Sequence, residues 1–167
     1  MSTKFFNNGL GNTLFDKLKG IASEMATFDR FLAVVGFFRS SGYFKLRKEL
    51  GDISEIKILV GINIDDIFRK HNKALLMLAD EDKAKEIYHN GFKEDIVNAQ
   101  YSPEVEEGIL QMCEDLVSGR LQMRIHATKN LHAKFYLCLP QNHSEHSDGW
   151  VIMGSSNISD SGLGIKQ

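Results

Sequence analysis

The run FLAVVGFF, residues 31–38, restricts the possible folds more than any other segment, because it is continuously apolar over the length of a strand. A strand without alternating polar residues predicts burial of both faces, as in a mostly parallel or mixed sheet flanked by helices. IKILVGI, residues 56–62, is predicted to be the next strand. Apolar residues at helical spacing predict amphipathic helices over residues 13–26 and about 40–50.

The rest of the chain continues this alternation of helices and strands. Residues 65–118 are predicted to be helical, with apolar positions three to four apart. Strands are predicted at 121–127, 132–139 and 149–154, and the polar stretch QNHSEHSDG between the last two predicts a hairpin loop. Together these patterns predict an α/β fold, a mixed β-sheet flanked by helices, with a helical insert around 65–118.

Composition and charge are those of an ordinary globular protein. With 167 residues, 43% of them hydrophobic, the chain can form one domain with a substantial core. A formal net charge of −2 excludes a purely electrostatic coat for nucleic acid, so any phosphate contact must be a local patch. Cys113 and Cys138 lie in apolar segments, which favours buried thiols in the reducing cytoplasm. No segment has the length and apolarity of a membrane span.

A histidine and a lysine interrupt the apolar segment LHAKFYLCL, residues 131–139. Burying either side chain without a partner is costly, so Val, Ile or Leu would be the expected occupants of a buried strand. Alternate side chains of a strand share a face, which predicts that His132 and Lys134 lie side by side. The small polar segment GSSN, residues 154–157, follows the next strand. Its hydroxyls, amide and backbone N–H groups can bind phosphate oxygens.

LHAKFYL followed by WVIMGSSNIS resembles the H-x-K and G-S-x-N active-site signature of the phospholipase D superfamily. VVGFFRSSGYFKL and IKILVGI also resemble the first strand, helix and second strand of a branch found in bacterial helicases and restriction-type nucleases. The resemblance implies a single phospholipase D-like domain over residues 1–167. It also implies that this domain is the N-terminal part of a longer protein, with a helicase domain in the same chain.

The resemblance further implies a metal-independent phosphodiesterase that acts on DNA through a phosphohistidine and needs no cofactor. His132 would be the nucleophile, or the acid that protonates the leaving oxygen. Lys134 and Asn157 would hold the non-bridging phosphate oxygens, assisted by Ser155 or Ser156. Elementary chemistry agrees, because a neutral imidazole is a competent nucleophile and a fixed lysine and amide stabilise phosphoryl charge without a metal.

The sequence departs from the family signature in two respects. The family has an aspartate five residues after the lysine, where this chain has Leu139, so His132 has no obvious orienting partner. The family's site uses two H-x-K motifs and this chain has one, so a homodimer or a longer parent chain is expected to complete a two-histidine site. These departures leave open a catalytically silent nucleic-acid-binding or dimerisation module of the same fold. A lipid phosphodiesterase is a third alternative, but no amphipathic membrane helix is evident.

Several other polar residues have simple structural explanations. His143 and His146 are spaced H-x-x-H in a polar loop, which is more typical of a solvated turn than of a metal site. Arg124 and His126 lie on the strand before the H-x-K motif, where they either line the cleft of the predicted phosphate site or face solvent. Lys129 is expected to be either an exposed loop lysine or a contact for a phosphate backbone, and the first is the simpler interpretation. The sequence therefore predicts no metal ligands.

Overall fold

A computed structural model describes residues 5–7, 9, 11–25, 27–64, 102–126 and 131–165 of the chain. The part of the predicted insert at residues 65–101 lies outside the described residues. Helices and strands alternate along the described chain in this order: α1 (Leu14–Glu24), β1 (Phe28–Phe38), α2 (Ser40–Leu50), β2 (Glu55–Ile64), α3 (Pro103–Val117), β3 (Leu121–Ile125), β4 (Phe135–Pro140), β5 (Trp150–Met153) and α4 (Asp160–Leu163).

The strands form one five-stranded sheet in the order β3-β2-β1-β4-β5. β1, β2 and β3 are parallel, whereas β4 is antiparallel to both β1 and β5. The predicted α/β class and mixed sheet are therefore confirmed, as is the hairpin connection between the last two strands. The long apolar run of β1 lies at the centre of the sheet, where it pairs with a strand on each side.

One face of the sheet packs against the helices and forms the core. α2 contacts both α1 and α3, and all three helices contribute fully buried side chains to the same cluster. Leu32 and Val34 of β1, which point to the other face, are half-buried. Burial of both faces is predicted for residues 31–38, but only the face towards the helices is fully buried. The buried hydrophobic residues that β1 and β2 contribute to this core are Phe31, Ala33, Val35, Phe38, Ile56, Ile58 and Val60.

Local sequence signals explain where the helices begin and end. Thr13 caps α1 in a capping box with Asp16, whose backbone N–H donates to the threonine hydroxyl at 3.0 Å. Ser102 caps α3, and Pro103 follows at the first helical position, where its missing N–H costs nothing. Gly119 adopts a positive φ of 77° just after α3, a conformation that glycine allows at the end of a helix.

A buried ionic cluster joins α2 and α3 to the start of β3. Asp115 is 0% exposed, and it accepts hydrogen bonds from Tyr43 at 2.9 Å and from Arg47 Nε at 2.6 Å. Arg120 approaches its other oxygen at 3.2 Å. Burial acts to raise the pKa of Asp115, but the hydrogen bonds from Arg47 and Tyr43 outweigh it and hold the pKa below its ordinary value. The carboxylate therefore remains charged within the core.

Among the described residues no helix has both the length and the apolarity needed to cross a membrane. The two cysteines are free thiols, Cys138 buried and Cys113 half-buried. Burial raises the pKa of Cys138 to about 12, so its thiol behaves as a small apolar group of the core.

Candidate phosphate-binding site

The strand that carries the H-x-K motif begins later than predicted. β4 starts at Phe135, whereas residues 131–134 lie outside the sheet ladder. Lys134 is buried on the same side as Tyr136, but His132 is exposed, so the predicted alternation does not extend back to the histidine. The prediction of a strand over 132–139 is wrong at its beginning. Residues 131–134 do not pair with β1, and the backbone oxygen of Leu131 lies close to Gly36 and Gly61.

Lys134 is a buried cation. Its side chain is 5% exposed, and Nζ donates a hydrogen bond to the backbone carbonyl of His132 at 2.7 Å. Among the described residues it has no carboxylate partner. Burial alone lowers the pKa of the Lys134 ammonium from its ordinary value of 10.5. A buried ammonium with one neutral acceptor retains two further N–H donors for an anion.

Asn157 is held in one orientation by the backbone of β1. Pairing of β1 with β4 ends at Val34, so the next N–H groups of β1 need another acceptor. Oδ1 of Asn157 supplies it, accepting from the backbone nitrogens of Gly36 at 3.1 Å and Phe37 at 2.9 Å. Both bonds use the carbonyl oxygen, which assigns Nδ2 as the other end of the amide. Among the described residues Nδ2 makes no hydrogen bond, so it is a donor available to a ligand.

Lys134 and Asn157 meet above Gly36 in β1. The point where a Cβ on Gly36 would stand is 3.4 Å from Nζ of Lys134 and 3.5 Å from Oδ1 of Asn157. The structure therefore brings these two predicted site residues together. His132 joins them through its backbone carbonyl, while its imidazole is exposed and makes no hydrogen bond among the described residues.

The two predicted serines lie in a loop anchored from below. Ser155 is exposed, and Ser156 is half-buried. The buried Tyr136 donates its hydroxyl proton to the backbone carbonyl of Ser156 at 2.6 Å. Burial raises the pKa of Tyr136, so the phenol remains a donor. Ile158 adds a second anchor, since its carbonyl accepts from the backbone nitrogen of Arg39 at 2.8 Å.

Leu139, at the position of the family's aspartate, lies far from the histidine. It pairs with Arg30 near the start of β1, whereas Phe135 pairs with Val34 close to the site. At about 3.3 Å per residue, the five residues from Lys134 to Leu139 span roughly 17 Å. An acid at 139 would not reach His132 within the same chain, so its replacement by leucine removes no orienting contact here.

The remaining polar residues lie apart from this site or outside the described chain. Arg124 of β3 is exposed. His126, which follows β3, is half-buried, and its backbone nitrogen donates to the backbone carbonyl of Val60 in β2. Lys129 lies outside the described residues. In the β4–β5 loop, Nδ1 of His143 lies 2.9 Å from the hydroxyl of Ser147, as in a solvated turn. No group of three or more His, Cys, Asp or Glu in the described ranges is placed to hold a metal ion.

Sequence reasoning missed three residues that build the site. Gly36 and Gly61 interrupt the apolar runs of β1 and β2, and a glycine inside a strand pattern often marks close approach of another backbone. That signal was available in VVGFF and LVGI. Tyr136 gave no such signal, because its contact with Ser156 depends on a loop 20 residues away.

A comparison with models of known protein families finds no match, and a comparison with curated proteins finds none either. The observations that bear on function are the geometry of the site and the resemblance of its two motifs to the phospholipase D signature.

Proposed function

We propose that this chain is a phospholipase D-like phosphodiesterase domain that cleaves DNA without a metal through a phosphohistidine. One observation carries the proposal: the buried ammonium of Lys134, without a carboxylate partner among the described residues, lies beside the oriented amide of Asn157. A cation in this environment is costly unless an anion is bound next to it. The DNA substrate, the helicase or restriction-type context and the homodimer follow from the resemblance.

The donors suit the oxygens of a phosphodiester. The ammonium of Lys134 supplies charge, and Nδ2 of Asn157 supplies an N–H donor whose amide is held by the backbone of β1. Exposed Ser155 can add a hydroxyl at the rim. A bound phosphate would raise the pKa of Lys134 again, because a nearby negative charge favours the ammonium. Phosphate binding is therefore coupled to uptake of a proton when the pH lies above the pKa of Lys134 in the unligated protein.

The proposed reaction proceeds in two balanced steps. The neutral imidazole of His132 attacks phosphorus, so a P–N bond forms while the P–O bond to the leaving strand breaks. A histidine of a second chain gives its proton to the leaving oxygen, and then removes a proton from the water that cleaves the P–N bond. Lys134 and Asn157 hold the non-bridging oxygens throughout.

Cleavage by histidine variants tests this proposal. We expect the wild-type protein to cleave duplex or single-stranded DNA in excess EDTA, and His132→Asn to lose at least about 1,000-fold in rate. His146→Asn is the matched control, since His146 is an exposed histidine of the β4–β5 loop. Acid-labile ³²P on the wild-type chain, absent from His132→Asn, would identify the phosphohistidine. Equal cleavage by both histidine variants would remove His132 from the mechanism.

A catalytically silent DNA-binding or dimerisation module is the second candidate. It is favoured by the exposed imidazole of His132, which no described side chain orients by a hydrogen bond. This module would bind DNA without cleaving it, and Lys134→Met would weaken that binding whereas His132→Asn would not. Sedimentation equilibrium of the wild-type chain decides separately whether two copies associate.

A further inference from the structure

We propose that Gly61 and Gly36 shape the site because they lack side chains: Gly61 is a positioning residue that leaves room for the backbone of the H-x-K segment, and Gly36 leaves one side of the Lys134 ammonium uncovered. This inference rests on the proposed function for its effect on catalysis, but its structural part can be tested alone. Neither glycine belongs to the H-x-K or the G-S-x-N motif. They lie next to each other on the central strands, in the stretch where two residues of β2 are opposite one residue of β1.

Gly61 lies directly beneath the residue that precedes His132. A Cβ on Gly61 would overlap the backbone oxygen of Leu131 and stand 3.1 Å from that of Gly36. Carbon and oxygen atoms in van der Waals contact are more than about 3 Å apart, so a side chain at 61 forces the carbonyl of Leu131 to move. That carbonyl belongs to the peptide unit leading into His132.

Movement of the Leu131 carbonyl would displace both His132 and Lys134, the two predicted functional residues of the motif. The next carbonyl along the chain, that of His132, accepts the hydrogen bond from Nζ of Lys134 at 2.7 Å. Displacing the backbone at 131–132 therefore shifts the base of the imidazole and the only hydrogen-bond acceptor that Lys134 has among the described residues. Gly61 acts through the backbone, without touching either side chain.

Gly36 has a different and complementary effect. A Cβ there would stand at ordinary contact distance, 3.4 Å from Nζ of Lys134 and 3.5 Å from the backbone oxygen of Leu131. Alanine at 36 therefore fits without moving the backbone, but its methyl group covers one side of the ammonium. Substitution at 61 should misplace the motif, whereas substitution at 36 should shield the cation from an anion.

The two substitutions predict a split in kinetic behaviour. A displacement on the order of 1 Å at a reacting group costs about 100-fold in rate, so Gly61→Ala should lower kcat by about that factor. Gly36→Ala should instead raise KM and weaken binding of inorganic phosphate, each by about tenfold, with a smaller change in kcat. Gly20→Ala is the control, because Gly20 lies in α1 with no atom within 4 Å of its Cβ position.

The test combines this kinetic split with NMR of the unligated proteins. We expect Gly61→Ala to shift the amide and side-chain resonances of residues 131–134, while resonances of α1 and α3 keep their wild-type positions. Wild-type resonances at 131–134 in Gly61→Ala would overturn the inference. If Gly61→Ala does not fold, the phosphate affinity of Gly36→Ala is the deciding measurement. An affinity equal to that of the wild type would then overturn the inference. If the wild type neither cleaves nor binds phosphate, the proposed function fails and the resonances still decide the positioning role.

Discussion

The side-chain oxygen of Asn157 accepts a hydrogen bond from the backbone nitrogen of Gly36 at 3.1 Å, across 121 residues of sequence. This contact takes over where pairing between β1 and β4 ends at Val34. It satisfies the backbone of the central strand and at the same time turns the amide nitrogen away from it. Asn157 thus continues the pairing of β1 and, in the proposed site, offers its amide nitrogen as a donor to phosphate; substitutions can separate these two roles.

Asn157→Asp keeps the first role and removes the second. The carboxylate still accepts from Gly36 and Phe37, but its other oxygen replaces the N–H donor and brings a negative charge near Lys134. We expect unchanged or increased stability to urea, and at least a tenfold loss of phosphate affinity because the added charge repels the anion. Phosphate titration and urea unfolding measure the two effects.

Asn157→Ala is the comparison for that variant, since it removes both roles. The two backbone N–H groups lose their acceptor, which costs about 1–3 kcal/mol for each group that stays buried and unsatisfied. We expect this variant to be clearly less stable than Asn157→Asp. Wild-type phosphate affinity in Asn157→Asp would show that the amide nitrogen is not a phosphate donor.

Lys134→Met should uncouple stability from anion binding. Methionine fills a similar volume without charge, so we expect stability at neutral pH to be unchanged or increased by about 1 kcal/mol. Phosphate affinity should fall by about 10- to 100-fold, because a charged hydrogen bond is lost. Urea unfolding and isothermal titration with inorganic phosphate measure these changes. A loss of stability above about 2 kcal/mol would show that the ammonium stabilises the unligated fold.

The pH dependence of that stability difference has a definite sign. Burial lowers the pKa of Lys134 below 10.5 in the folded protein, so the unfolded chain binds the proton more tightly. The buried charge therefore lowers the free energy of unfolding. This loss is complete below the folded-state pKa of Lys134 and disappears as pH rises towards 10.5. Any advantage of Lys134→Met should therefore shrink between neutral pH and about pH 10. An advantage that grows over this range would contradict a lowered pKa.

Sequence periodicity predicts the helices and the mixed sheet because these depend on residues close together in the chain. The run at 31–38 and the helical stripes on each side of it are local patterns, and the structure confirms them. The start of β4 is not local. Just before it, the backbone oxygen of Leu131 lies close to Gly36 and Gly61, which are far from residue 131 in sequence. The Asp115 cluster also joins elements 68 residues apart, so nothing near Asp115 predicts its burial.

Tyr136→Phe should loosen the G-S-x-N loop and leave the rest of the fold intact. The change removes the donor to the carbonyl of Ser156, at a cost of about 1–2 kcal/mol. We expect faster amide hydrogen exchange at 154–158 and weaker phosphate binding. Tyr43→Phe is the matched control, because it removes a buried hydroxyl from the Asp115 cluster on the helical side. It should reduce stability without changing exchange at 154–158. Equal exchange in both variants would exclude a role for Tyr136 in holding the loop.

Asp115→Asn should destabilise the protein without affecting the site. Arg47 is 7% exposed and would lose the charge that compensates its guanidinium, which costs about 3–5 kcal/mol when one member of a buried pair is removed.

The pH dependence of this effect follows from the lowered pKa of Asp115. That pKa is held below 3.8 in the folded state, so the contribution of Asp115 to stability is present above that pH and is lost as pH falls through the folded-state pKa. In urea unfolding, the stability gap between wild type and Asp115→Asn should therefore be wide at pH 7 and become smaller as pH falls below 3.8. The folded variant should bind phosphate like the wild type, since no member of the cluster contacts Lys134 or Asn157. A gap that does not narrow in acid would show that the charge of Asp115 is not what stabilises the junction of α2, α3 and β3.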